Sequence, residues 1–267
     1  MESLGHHPRV MRSLAQHVPA PAAIKIYTLG CFSILVDGKA IKLTRKARSK
    51  PLELLKAVIA LGGRDVHEAR LTAALWPDSD TELAASALTS TLRRLRALVG
   101  RGAIRRQSGR LSLDADRCWV DAWSFEHNLT ALEHAHRAQD LEKTASLAAG
   151  VVLQYRGAFL AGEADDAWAL CARERLQGRL LNLLDSIGTQ HALAGRYEQA
   201  FACFRKAVAI EPLAEGPYRR LMQMNLDQGR HADVLLTYQH CRNMLAVGLG
   251  RAPSSETEAL LRKVRAD

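Results

Sequence analysis

The chain has 267 residues, of which 48% are hydrophobic and 24% charged. This is the composition of an ordinary soluble globular protein, with room for two modest cores. Its apolar stretches fall far short of the run of about 20 residues that a membrane span needs, and residues 1–23 lack the apolar centre of a secretory signal, so a cytoplasmic location without a membrane partner is expected. The net charge is +9, and all of it lies in one segment. Between Ile24 and Val120 there are 18 Lys and Arg against 9 Asp and Glu, while the rest of the chain holds 19 of each sign. Such asymmetry favours a polyanionic partner for that segment, although a solvated face of an ordinary domain can also be basic. Cys31, Cys118, Cys171, Cys203 and Cys241 are scattered and odd in number, so they are expected to be reduced and mostly buried.

Residues 1–23, with His6-His7-Pro8 and Pro19-Ala20-Pro21, have the composition of a flexible tail or linker. From Ile24 to Leu43, short β-prone runs broken by Gly30 and by Asp37-Gly38 predict a small antiparallel sheet. Leu52, Leu55 and Ile59 recur at helical spacing between Pro51 and Gly62-Gly63. A second short helix is expected from about His67 to Leu75, closed by Trp76-Pro77, with Trp76 as a core anchor. A third should run from about Thr81 to Val99, capped by Asp78, Ser79 or Asp80. Ile104–Gln107 and Arg110–Leu113 around Ser108-Gly109 predict a closing hairpin. Sheet, three helices and hairpin together describe a winged helix-turn-helix domain over residues 24–120.

After Asp121 helix formers dominate. Gly195-Arg196-Tyr197-Glu198-Gln199-Ala200 returns as Gly229-Arg230-His231-Ala232-Asp233-Val234, about 34 residues on, which is the tetratricopeptide period. Phe204 and Tyr238, and Ala207 and Cys241, match at the same offset, and Pro212 stands where such a repeat ends its second helix. Asp140–Ala145 bears a weaker likeness to the repeat start. Ser255-Glu256-Thr257-Glu258 fits a capping box opening a last helix through Leu261. The expected fold class is mainly α with small β: a winged helix-turn-helix domain followed, over residues 121–267, by an all-α tetratricopeptide-like domain.

Projected at about 100° per residue, Leu88, Leu92, Leu95 and Val99 form one stripe of the third helix, which should face the core. Ser86, Ser90, Arg93 and Ala97 lie opposite, with Thr89 and Arg96 on one flank and Arg94 on the other. Small and hydroxylic side chains let a helix approach a major groove, and an arginine can bond guanine in bidentate fashion. Arg93 is the candidate for base contact; Ser86, Thr89, Arg94 and Arg96 are candidates for phosphate or mixed contacts, and Ser90 is a further DNA-binding candidate. From Arg93 to Arg110 the chain has seven arginines and no acidic residue, so the hairpin shares the charge, with Arg105, Arg106 and Arg110 as its candidates. Because strand residues alternate faces, only some of these can point at DNA. Arg45, Lys46, Arg48 and Lys50 could hold a phosphate or simply be solvated. His134 and His136 lack metal-ligand spacing, and neither a metal site nor a cofactor is expected.

Leu29-Gly30-Cys31-Phe32, Pro51-Leu52-Glu53-Leu54-Leu55, Ala74-Leu75-Trp76-Pro77, Leu92-Arg93-Arg94-Leu95-Arg96, Tyr155-Arg156-Gly157-Ala158-Phe159-Leu160 and Gly229-Arg230 follow in this order. In that order they resemble the regulators of the Streptomyces antibiotic regulatory protein (SARP) type, in which an OmpR-like winged helix precedes a bacterial transcriptional activator domain. The resemblance covers about residues 24–265. It implies binding to double-stranded promoter DNA, often as a homodimer on direct repeats, activation through contact with RNA polymerase, and a helical domain for protein contacts or effector sensing. Arg173, Arg175 and Arg179 could bind an anionic small-molecule effector. The chain has no Walker phosphate loop, so the ATPase domain of larger relatives is absent from it, and it reads as a compact relative or a fragment. A second reading, a repeat-based interaction adaptor without specific DNA binding, leaves the concentration of charge unexplained. No nucleophile elbow or metal cluster supports an enzyme.

Overall fold

The computed structural model describes residues 22–41 and 50–266. The expected tail, apart from Ala22 and Ala23, and the candidate cations Arg45, Lys46 and Arg48 lie outside the described residues. Two compact units divide the chain, one up to Leu176 and one from Gln177. No helix among the described residues is long and apolar enough to cross a membrane.

The first unit opens with β1 (Ile24–Tyr27), β2 (Ser33–Val36) and β3 (Lys39–Ala40). There follow α1 (Lys50–Ala60), β4 (Val66–His67), α2 (Glu68–Leu75) and α3 (Thr81–Val99), then β5 (Ile104–Gln107), β6 (Arg110–Leu113) and β7 (Cys118–Val120). The helices α4 (Asp121–Arg137) and α5 (Leu141–Gln154) and the start of α6 (Ala167–Leu193) complete it. Both expected hairpins form. Asp37-Gly38 and Ser108-Gly109 carry φ of 48° and 78°, and of 49° and 69°, as a tight two-residue turn between twisted strands requires. The first sheet departs from the antiparallel expectation. Its order is β3-β2-β1-β7, and β7 pairs parallel to β1, Ile24 beside Cys118 and Ile26 beside Val120. β4 pairs with β6, giving the second sheet the order β4-β6-β5.

Helix α1 buries more than its expected stripe. Leu54, Ala57 and Val58 are enclosed along with Leu52, Leu55 and Ile59, because the helix packs against α2, α3 and β6 at once. Even Lys56 is buried, paired with Glu163 at 2.9 Å and lying 4.4 Å from the centre of the Phe32 ring. Among the candidate caps of α3, Asp80 does the capping, accepting the Leu83 N–H at 3.0 Å. Trp76 is half-buried rather than a core anchor, with the Lys50 ammonium 5.9 Å over its ring.

The first residue of α4 joins the sheet to the helices. The buried Asp121 carboxylate accepts the Thr28 N–H and hydroxyl at 2.7 Å each, the Leu29 N–H at 3.0 Å and the Ala122 N–H at 2.8 Å. The same loop is held from its other side, where Leu160 N–H donates to the Thr28 carbonyl at 2.7 Å and Gly30 N–H to that of Ala158 at 3.0 Å.

The second unit holds the rest of α6 with α7 (Tyr197–Ile210), α8 (Glu215–Asp227), α9 (His231–Leu249) and α10 (Ser255–Ala266). The repeat is legible in its burial: Ala200 and Val234, Phe204 and Tyr238, and Ala207 and Cys241 are all buried, one residue of each pair on α7 and its match on α9. Gly195 and Gly229 sit at matching turns, and Pro212 follows α7. The last helix differs from expectation. It runs past Leu261 to Ala266, and Ser254, one residue earlier than expected, meets Thr257 at 3.3 Å between hydroxyls. Glu215 accepts from the Ser254 N–H at 2.9 Å and from the hydroxyls of Ser254 and Thr257, while Glu258 is used by the Tyr238 hydroxyl instead of the cap. Cysteine burial is also mixed. Cys118 and Cys241 are buried, Cys203 is half-buried and Cys31 and Cys171 are exposed, all five as free thiols; burial pushes the Cys118, Cys203 and Cys241 thiols up to about 11.

Replacing Asp121 by Ala leaves the Thr28 and Leu29 amides without their buried acceptor, and should cost about 3 kcal/mol in urea unfolding of the whole chain. Burial raises the Glu215 carboxyl, but hydrogen bonds from Thr257 and Ser254, with Arg219 nearby, hold it below its ordinary value of 4.5. Its stabilising contribution is therefore full above 4.5 and lost as pH falls through the lower folded value. Glu215→Gln should be less stable than the native chain at pH 7, and thermal melts across pH should show the gap narrowing below pH 4.5.

Candidate nucleic-acid interface

Helix α3 has the length and apolar stripe to lie on α1 and α2 and still present a free side. Leu88, Leu92, Leu95 and Val99 are buried as projected, joined by Ala84 and Thr91. Ser86, Thr89, Ser90, Arg93, Arg94 and Ala97 are exposed, and Arg96 is half-buried.

The arginines differ in how far they are committed within the protein. Arg93 has no hydrogen bond or ion pair among the described residues, and Arg94 only a long one, 3.4 Å, to the Thr91 hydroxyl. Arg96 instead turns toward the hairpin and donates from Nε and Nη2 to the Ile104 carbonyl at 3.2 and 2.8 Å. This stitches the end of α3 to β5. The exposed hydroxyls are used locally, Thr89 donating to the Ala85 carbonyl and Ser90 to that of Ala87, both at 3.0 Å.

On the hairpin, strand alternation separates the candidates. Arg106 stands opposite Leu111, and Arg105 opposite Ser112. Arg106 grips Glu68 of α2 through Nε and Nη2, both at 2.7 Å, and its Nη1 donates to the Thr89 hydroxyl at 3.2 Å. That hydrogen bond to Glu68 raises the guanidinium further above its ordinary value, against a smaller opposing effect of burial. Arg105 pairs with Asp114 at 2.7 Å, and together with the Asp116 N–H it holds that carboxyl below the ordinary range. Arg110 is exposed near the turn and reaches the Asp65 carbonyl at 3.5 Å. Exposed Arg101 adds to the charge beside the end of α3. Lys50 is engaged with Glu53 at 2.9 Å and with the Leu75 carbonyl at 3.1 Å.

Sequence reasoning missed Glu68 and Asp114, the carboxylates that hold two of the three hairpin arginines. Glu68 bears one local signal, an acid in the first turn of a helix; nothing local indicates that a strand 38 residues later will present Arg106 to it. The arginines proposed for an effector are likewise engaged. Arg173 bonds the Phe159 carbonyl at 3.0 Å and Asp165 at 2.9 Å, and Arg175 pairs with Glu126, so neither is an open anion receptor. His134 is exposed and His136 half-buried, and no group of three metal-ligating side chains occurs among the described residues.

A helix-turn-helix with a basic hairpin beside its last helix, followed by helical repeats, defines a winged-helix protein with an all-α repeat region. The bacterial transcriptional activator domain profile matches residues 120–265, and the chain belongs to that family. Its order of domains is that of the SARP-like transcription regulators. Over 265 residues it is 25% identical to the regulatory protein AfsR of Streptomyces griseus, covering 98% of this chain and 27% of that protein. It is 26% identical to AfsR of Streptomyces coelicolor over 264 residues, 96% of this chain and 26% of that one. The chain thus spans about a quarter of the length of these relatives. Among solved structures, Mycobacterium tuberculosis EmbR in complex with a low-affinity phosphopeptide matches 91% of this chain and 65% of its own, with a TM-score of 0.63 at 20% identity, a likeness of fold.

Proposed function

We propose that residues 24–120 bind double-stranded promoter DNA sequence-specifically, with α3 in the major groove and the β5–β6 hairpin against the neighbouring backbone. The observation that carries this reading is the outward face of α3. Ser86, Ser90 and Thr89 keep its middle slim, and Arg93, exposed and without a partner among the described residues, stands where a base edge would be met. Arg94 and Arg110 supply phosphate contacts, and Arg96, Arg105 and Arg106 reach DNA only on leaving their internal partners. Residues 121–267 act through protein contacts. On this reading the chain is an activator that contacts RNA polymerase and occupies direct repeats as a pair of copies, an extension that rests on its resemblance to the SARP-type regulators.

Duplex binding should weaken steeply with salt, the slope of log K against log salt counting the phosphates neutralised. Arg93→Ala should cost about 1–3 kcal/mol on the selected site and relax preference at one base pair. Titrations at several salt concentrations measure both, and salt-independent or absent duplex binding would overturn the reading.

A further inference from the structure

Glu68 lies outside the expected DNA contacts, yet it holds the hairpin twice. Its backbone N–H donates to the Gly109 carbonyl at the hairpin turn, 2.9 Å away, and its carboxylate takes two donors of Arg106. A third donor of the same guanidinium reaches the Thr89 hydroxyl on α3. Glu68, Arg106 and Thr89 therefore link α2, the hairpin and α3 in one chain of hydrogen bonds.

The end of that chain has a defined chemistry. A threonine hydroxyl carries one hydrogen and two lone pairs. At Thr89 the hydrogen goes to the Ala85 carbonyl and one lone pair receives Arg106. What remains toward solvent is a single acceptor. Phosphate oxygens only accept, so a hydroxyl in this state has nothing to offer them. In the major groove the matching donors are the amino groups of adenine N6 and cytosine N4. Arg106 is itself unsuited to a phosphate while Glu68 neutralises it in a bidentate pair.

We propose that Glu68 and Arg106 are positioning residues that fix Thr89 as an acceptor-only reader of a base amino group, making Thr89 a specificity determinant and removing Arg106 from the phosphate contacts. This rests on the DNA-binding reading above.

The test is selection of bound sequences from random duplexes, with salt titrations on the selected site, for the full chain and for Thr89→Val, Glu68→Gln and Arg106→Ala. Thr89→Val keeps the shape of an exposed residue, so it reports on the hydroxyl even if the other variants fold poorly. The expected result is loss of about fivefold in preference for adenine or cytosine at one position of one strand in Thr89→Val, the size of one neutral hydrogen bond. Glu68→Gln and Arg106→Ala should weaken the same preference, leaving other positions and the salt slope unchanged. The proposal is overturned if Thr89→Val leaves all preferences intact. It is equally overturned if Arg106→Ala weakens all sequences alike with a slope lower by about one, or if Glu68→Gln tightens binding everywhere with a steeper slope, since either marks Arg106 as a phosphate contact. Absence of duplex binding by the native chain would overturn the DNA-binding reading and this proposal with it, whereas the variant outcomes above would leave that reading standing.

Discussion

The placement of everything in the first unit depends on how the short loop Thr28–Gly30 is held. A buried carboxylate is costly unless its oxygens are matched by donors, and Asp121 is matched by three backbone amides and a hydroxyl. Three of those donors, the Thr28 N–H and hydroxyl and the Leu29 N–H, come from the loop that follows β1, and the fourth is the Ala122 N–H of α4, which Asp121 opens, so one side chain fixes where the sheet ends and where the helices begin. The parallel pairing of β7 with β1 is the backbone counterpart of the same joint. From the other side the loop containing Gly157 comes so close that a Cβ on Gly157 would lie 3.0 Å from the Gly30 Cα. A Cβ on Gly30 would lie 3.2 Å from the Arg156 carbonyl oxygen, so a side chain at either glycine would require the facing backbone to give by a few tenths of an ångström. The segments Leu29–Phe32 and Tyr155–Leu160, more than 120 residues apart in sequence, thus form one contact. In that light the winged helix is braced by the first helices of the activator domain.

The same side of the unit contributes one ion pair to the burial of α1, whose enclosure otherwise comes from α2, α3 and β6. Nine of the eleven residues of α1 are buried, among them a cation, Lys56, paired with the half-buried Glu163. Removing Glu163 would leave the buried Lys56 charge uncompensated, which is far more costly than the pair is stabilising. The Lys56–Glu163 contact therefore constrains the geometry within this unit more than it adds to its stability.

What the sequence made legible follows from which signals are local. Helix α3 was readable to its ends because its leucines recur at one period and Asp80 and Gly100 bracket it. The hairpin turns were readable because Asp-Gly and Ser-Gly are suited to positive φ. The 34-residue repeat was readable because buried positions return at the same offset on α7 and α9. By contrast, β7 is three residues long and carries no alternation to set it apart, and a parallel partner 90 or more positions away leaves no trace in a single sequence. The capping of α10 shifted by one residue because Glu215, from another helix, draws in both Ser254 and Thr257.

The candidate surface shows the same division in its chemistry. Summed charge pointed to the correct segment for a basic face, since Arg93, Arg94, Arg101 and Arg110 are all exposed there. It could not say which arginines were already committed. Arg96 is bound to a carbonyl, Arg105 to Asp114 and Arg106 to Glu68, and these ties cross between elements that meet only on folding. A guanidinium tied to a carboxylate contributes little net field but much geometry, because its planar donors fix both partners. The basic excess of the segment therefore falls into two sets. One is exposed with at most long, weak ties among the described residues, and the other holds α2, α3 and the hairpin in the relation that gives the exposed set its direction.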